Sequence, residues 1–91
     1  MNNHFPLISI IIPTYQRPDN LLRAISSAQK QTYPNIEIIV VDDNGIDSKW
    51  HYETEKILSS LIEHNVIKYV IHEINKNGSA ARNTGLRVAK G

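Results

Sequence analysis

Cysteine is absent, which rules out a disulfide framework and a thiolate zinc site and is compatible with a reducing cytosol. No apolar run approaches the ~20 residues of a membrane span; the longest lie around Ile10–Ile12 and Ile38–Val41. A charged N-terminal region followed by an apolar one is also missing, so no signal peptide is expected. Neither sign of charge is in excess, with 10 Lys and Arg against 9 Asp and Glu and a net charge of +1. A polybasic anchor or a nucleic-acid tract needs a basic block, so nucleic acid is not expected as a partner. Neither Gly-x-Gly-x-x-Gly nor the Gly-Lys-Ser/Thr of a P-loop occurs, which counts against a dinucleotide-binding Rossmann domain. The 91 residues contain no internal repeat and no low-complexity stretch, and they fall short of the ~100–150 residues of a typical domain.

Two apolar runs dominate what is present, Leu7-Ile8-Ser9-Ile10-Ile11-Ile12 and Ile36-Glu37-Ile38-Ile39-Val40-Val41. Both are rich in β-branched residues without polar alternation, the pattern of strands covered on both faces in parallel sheets. Val66-Ile67-Lys68-Tyr69-Val70-Ile71 is a more mixed run, suited to an outer strand. After Pro18, Leu21, Leu22, Ile25, Ala28 and Thr32 recur at helical spacing, and Tyr33-Pro34-Asn35 breaks the pattern. Thr54, Ile57, Leu58, Leu61 and Ile62 form one face of a second helix, closed by His64-Asn65. A third helix is expected from Ser79, with Ala81, Gly85 and Ala89 as a stripe of small residues.

The order β-α-β-α-β-α predicts an α/β fold, a three-layer Rossmann-like parallel sheet with right-handed crossovers. Its three strands should step in one direction. The chain stops at Lys90-Gly91, where a doubly wound sheet would start a fourth strand. Residues 1–91 therefore read as an incomplete portion of a single domain, with the first strand left as an edge open to self-association.

Ligands of parallel α/β sheets bind at the carboxyl ends of the strands. That rule selects Pro13-Thr14-Tyr15-Gln16-Arg17, Asp42-Asp43-Asn44-Gly45 and Asn75-Lys76-Asn77-Gly78-Ser79. Adjacent strand residues point to opposite faces, so only one of Asp42 and Asp43 should address a given ligand. A helix cap, a turn former and a metal site stay open for that pair. Tyr15 offers a flat face on which a base can stack, or ordinary packing against the first helix. Arg17 can reach a phosphate or remain solvated. Gly78 permits a tight turn, Ser79 can cap the third helix, and its N-terminus with Arg82 suits a diphosphate. The four histidines, His4, His51, His64 and His72, show no metal-ligand spacing and read as surface or helix-end residues. Trp50 and Tyr52 read as packing or rim aromatics.

Four ordered stretches, Ser9–Arg17, Ser26–Tyr33, Glu37–Asn44 and Gly78–Gly85, resemble the family 2 glycosyltransferases of the GT-A fold and cover nearly all of the chain. The resemblance implies that Pro13 and Tyr15, with Thr14 between them, line the pocket for the donor's base, usually uracil. It implies that Asp43, in preference to Asp42, bonds the base or ribose, and that Arg82 lies near the nucleotide. Such enzymes transfer a sugar from a nucleotide-diphosphate donor to a sugar or lipid-linked acceptor hydroxyl, as in cell-envelope polysaccharide synthesis. Mn²⁺ or Mg²⁺ is expected in the complete enzyme, but the family's Asp-x-Asp metal motif and its catalytic base are not in this sequence. A hexosyltransferase is therefore expected of the parent protein, working in the cytoplasm with a peripheral place at the inner membrane face left open. The segment itself is expected to supply the nucleotide pocket without catalysing transfer. An inactive nucleotide-binding or assembly fragment is the alternative. Asn44-Gly45-Ile46-Asp47 departs from the Gly-Ser or Asn-Ser of many relatives.

Overall fold

The computed structural model describes residues 6–91. The β-branched runs form β1 (Ile8–Thr14), β2 (Ile36–Asp42) and β3 (Lys68–Ile71). Their order is β1-β2-β3 and both pairings are parallel, so the strands step in one direction as expected. Between and after them run α1 (Pro18–Gln29), α2 (Lys49–Glu63) and α3 (Gly78–Val88). This α/β arrangement is consistent with the N-terminal half of a GT-A fold. Among the described residues no helix is long and apolar enough to cross a membrane.

The two-residue period of the strands divides the core. Ile38 and Val40 of β2 face α1 and α2, packing with Leu21, Ile25, Ala28, Leu58 and Ile67. Ile39 and Val41 face the other way and pack with Ala81 of α3, flanked by Ile11 and Val70. Each fully buried Ile or Leu contributes roughly 1.5–3 kcal/mol, so the α1–α2 layer holds most of the apolar stabilisation. The α3 layer is thinner because small residues face the sheet. A Cβ on Gly85 would stand 2.4 Å from Ile11 Cγ2, so only glycine lets α3 lie this close to β1.

Several boundaries differ from the sequence expectation. β1 runs two residues past its apolar stretch, pairing Pro13 with Val41 and Thr14 with Asp42. A proline with no N–H to donate is tolerated there because β1 pairs only with β2 among the described residues. Thr32 lies beyond α1, which ends at Gln29, and is exposed. Val66 and Ile67 belong to the turn after α2, where Val66 N donates to Leu61 O at 2.9 Å. Asn65 makes that turn at φ +58. The cap of α3 is Asn77, not Ser79: its Oδ1 accepts from Ala80 N at 3.0 Å.

At the opposite end of the sheet from the carboxyl ends of the strands, Glu37 ties the chain leaving α3 to the sheet. Its carboxylate receives Lys68 Nζ at 2.8 Å, the Ser9 hydroxyl, and Lys90 N at 2.6 Å. Gly91 N donates to Ser9 Oγ at 3.0 Å. The Lys68 bond, then the Ser9 and Lys90 bonds, lower the Glu37 pKa from its ordinary 4.5 to about 2.

Candidate functional site

Asp42 and Asp43 leave the end of β2 toward opposite faces, as strand geometry requires. Asp42 turns into the α1–α2 side and is fully buried. It accepts from Asn44 N at 3.1 Å, Asn44 Nδ2 at 2.7 Å, His51 Nδ1 at 2.8 Å and the Tyr69 hydroxyl. Burial first, and then the bond to Asp42, push the Tyr69 phenol well above its ordinary range. Asn44 Oδ1 accepts from Gln16 N at 2.6 Å, holding Gln16 at φ +55 in the loop that carries Tyr15. Asp42 thus acts within the fold and does not line the rim hollow described below.

Asp43 turns toward α3. Oδ1 accepts from His72 Nδ1 and Lys76 N, both at 2.8 Å, while Oδ2 accepts from Asn77 N at 2.8 Å and Asn75 Nδ2 at 3.0 Å. A carboxylate offers about four acceptor positions, and this arrangement fills them. Burial disfavours the charge, but the His72 bond and the Lys76 and Asn77 N–H groups outweigh it and hold Asp43 below the usual carboxylate range. The carboxylate expected to bond a base or ribose is therefore already engaged in ordering the loop between β3 and α3.

The three rim loops converge. A hollow of about 520 Å³ is lined by Pro13, Thr14, Tyr15, Asp43, Asn75, Asn77, Gly78 and Arg82. Tyr15 is about half exposed, leaving aromatic surface available at its edge. The N–H groups of Gly78 and Ser79, in the first turn of α3, have no partner among the described residues. Arg82 folds back over this turn, since a Cβ on Gly78 would lie 3.8 Å from its Nη1. The α3 N-terminus, entered at Gly78, and the Arg82 guanidinium thus stand on the lining of one hollow, a setting that favours an anion. Arg17 lies elsewhere. It lines a separate hollow of about 370 Å³ with Ile12, Asn20, Leu21 and Ala24, which shares Pro13, Thr14 and Tyr15 with the first.

The histidines need correction. His51 and His72 are buried, each 6% exposed, one on Asp42 and the other on Asp43. His64 is an exposed helix end, and His4 lies outside the described residues. Strand register held the missing signal: Asp42 pairs with Ile71, so the next residues, Asp43 and His72, share a face of adjacent strands. Trp50 is half-buried with Lys49 Nζ over its ring at 4.8 Å, Tyr52 is exposed, and neither lines the rim hollow.

A divalent ion does not fit these residues. No group of three or more His, Cys, Asp or Glu among the described residues could hold one, and both rim carboxylates are occupied by the protein's own donors.

Residues 9–91 match the model for glycosyl transferase family 2. The chain is 40% identical over 86 residues to glycosyltransferase GlyG of Streptococcus pneumoniae serotype 4, covering 93% of this chain and 27% of the relative. It is 42% identical over 91 residues to an uncharacterized glycosyltransferase of Rickettsia bellii, covering 100% and 12%. It is 36% identical over 85 residues to the Escherichia coli UDP-Glc:alpha-D-GlcNAc-diphosphoundecaprenol beta-1,3-glucosyltransferase WfaP, covering 93% and 32%. The chain therefore spans a third or less of the length of these relatives. With four motif stretches in order, a parallel half-sheet and a rim hollow, it belongs to glycosyl transferase family 2.

Proposed function

We propose that the rim hollow receives the nucleoside diphosphate of a sugar donor, UDP in the simplest case, in a protein that transfers the sugar to an acceptor hydroxyl. The observation that carries this reading is the meeting of Tyr15, Asp43, Arg82 and the α3 N-terminus around one hollow. Tyr15 supplies a stacking face for the base, a contact worth ~1–3 kcal/mol by analogy with stacked nucleobases. Pro13 and Thr14 form the adjoining wall. The Gly78 and Ser79 amides and Arg82 meet the diphosphate, with charge-assisted bonds of about 1.5–3 kcal/mol each. Asp43 holds the loop that presents them. Association costs at least several kcal/mol, so the net affinity of this segment is expected to be roughly millimolar or modestly tighter. UDP enters the proposal through family membership and the donor in the name of WfaP. The diphosphoundecaprenol acceptor in that relative's name supports a lipid-linked acceptor.

Calorimetric titration with uridine and UDP tests the assignment. Tyr15→Ala should weaken both ligands, about tenfold for a lost stacking contact of ~1.4 kcal/mol. Arg82→Ala should weaken UDP by a similar factor and leave uridine within about twofold. Identical titrations for all three proteins would remove the ligand from this hollow. Hydrolysis of a panel of nucleotide sugars by the protein containing this chain identifies the donor.

A further inference from the structure

The geometry points to His72 as a positioning residue of the donor site: it braces the loop between β3 and α3 so that the α3 N-terminus meets the donor's diphosphate. This role rests on the donor-site reading above. The imidazole follows β3 directly and is 6% exposed, enclosed between the loop's anchoring carboxylate and α3. A carboxylate only accepts, so Nδ1 carries a hydrogen and donates it to Asp43 Oδ1 at 2.8 Å. Across the ring, Nε2 meets Thr84 Oγ1 of α3 at 2.7 Å, and Arg87 Nη2 donates to that oxygen at 3.2 Å. One ring thereby fixes the loop through one nitrogen and the helix through the other. A shorter polar side chain would reach only the first.

The loop needs such support. Asn77 sits at φ +120 and ψ +169, a region held almost only by glycine, costing on the order of 1–3 kcal/mol and persisting only where the surroundings over-determine it. Three bonds constrain it here. Asn77 N donates to Asp43 Oδ2, Asn77 Oδ1 caps Ala80 N, and Asn77 O accepts from Ala81 N at 3.0 Å. This residue sets where Gly78 and Ser79 begin the helix, and Arg82 follows one turn later. Tyr15 stands on a different loop, held through Asn44, so loss of the His72 brace should reach the diphosphate end of the hollow and spare the base end.

Two readouts on the chain and its His72→Asn and His72→Ala variants decide the matter. Asparagine can still donate to Asp43 but cannot reach Thr84, whereas alanine makes neither bond. Amide exchange at Lys76 and Asn77 should accelerate about tenfold or more in His72→Ala, and less in His72→Asn. UDP should bind about tenfold more weakly to His72→Ala with uridine within about twofold, and His72→Asn should fall between. Where alanine impairs folding, the asparagine variant carries both comparisons. Unchanged exchange at both amides overturns the brace. Equal weakening of uridine and UDP overturns its link to the diphosphate. If the unaltered chain gives no heat with UDP, the donor-site reading falls and the positioning role with it, while exchange still decides whether the brace exists.

Discussion

The two faces of the sheet are finished differently at the rim. On the α1–α2 face, Asp42 is enclosed by groups that have nowhere else to turn: Asn44 and His51 are buried and Tyr69 is half-buried. On the α3 face, Asp43 is equally buried, but three of its donors belong to Asn75, Lys76 and Asn77, which are exposed residues of a loop. Both carboxylates are saturated with hydrogen bonds. What differs is the alternative open to the partners, and hence what each aspartate is for. One holds the interior together, while the other shapes a surface.

The widest separation between the faces should come from alanine at these two positions. Asp42→Ala leaves buried donors without an acceptor and should cost about 3–5 kcal/mol, a large share of the ~5–15 kcal/mol typical of a domain. Asp43→Ala frees three loop groups that water can satisfy and strands one buried donor, His72 Nδ1, so it should cost about 1–3 kcal/mol while abolishing measurable UDP binding. Urea unfolding beside calorimetry separates the two, and equal midpoints would erase the contrast.

Next in size is Gly85→Ala. Its methyl group would stand 2.4 Å from Ile11 Cγ2, so α3 must retreat, at about 1–3 kcal/mol for overpacking. A midpoint within experimental error of the unaltered chain would show that the thin α3 layer yields more easily than its geometry implies.

The smallest effect concerns Glu37 at the base of the α3 face. Its pKa is lowered on folding from 4.5 to about 2. The folded state thus favours the carboxylate, so the stabilisation is fully present above about pH 4.5 and is lost as pH falls through that range toward 2. Thermal melts of Glu37→Gln should be lower than those of the unaltered chain at neutral pH, and the gap should narrow below pH 4.5. A gap constant with pH would mean that packing, not charge, ties the segment after α3 to the sheet.

Much of this was legible beforehand because it depends on local pattern. The β-branched runs specified strands, Pro18 opened α1, and the spacing of Ala81, Gly85 and Ala89 marked a stripe of small residues on the third helix, though not that Ile11 of β1 is what it meets. Three loops at the carboxyl ends of parallel strands were expected to meet, and Tyr15, Asp43 and Arg82 do line one hollow. For Arg17 the sequence left open a phosphate contact or a solvated side chain; as the N-cap residue of α1 it lies against the neighbouring hollow. The roles of Asp42 and Asp43 were divided only in principle. Counting residues could assign them to opposite faces, but could not reveal that each arrives already surrounded by donors.

By itself the sequence determined the alternation of elements, the parallel sheet and the family, since periodicity, turn residues and ordered motifs are properties of neighbouring positions. Tertiary structure alone decided that His51 and His72 are interior partners of the two aspartates and that Asn77 caps α3 from a strained backbone. Those facts depend on strand register and helix placement, which bring together residues as far apart as Asp43 and Asn77. Hydrogen-bond saturation is a property of that three-dimensional neighbourhood, and no local pattern along the chain encodes it.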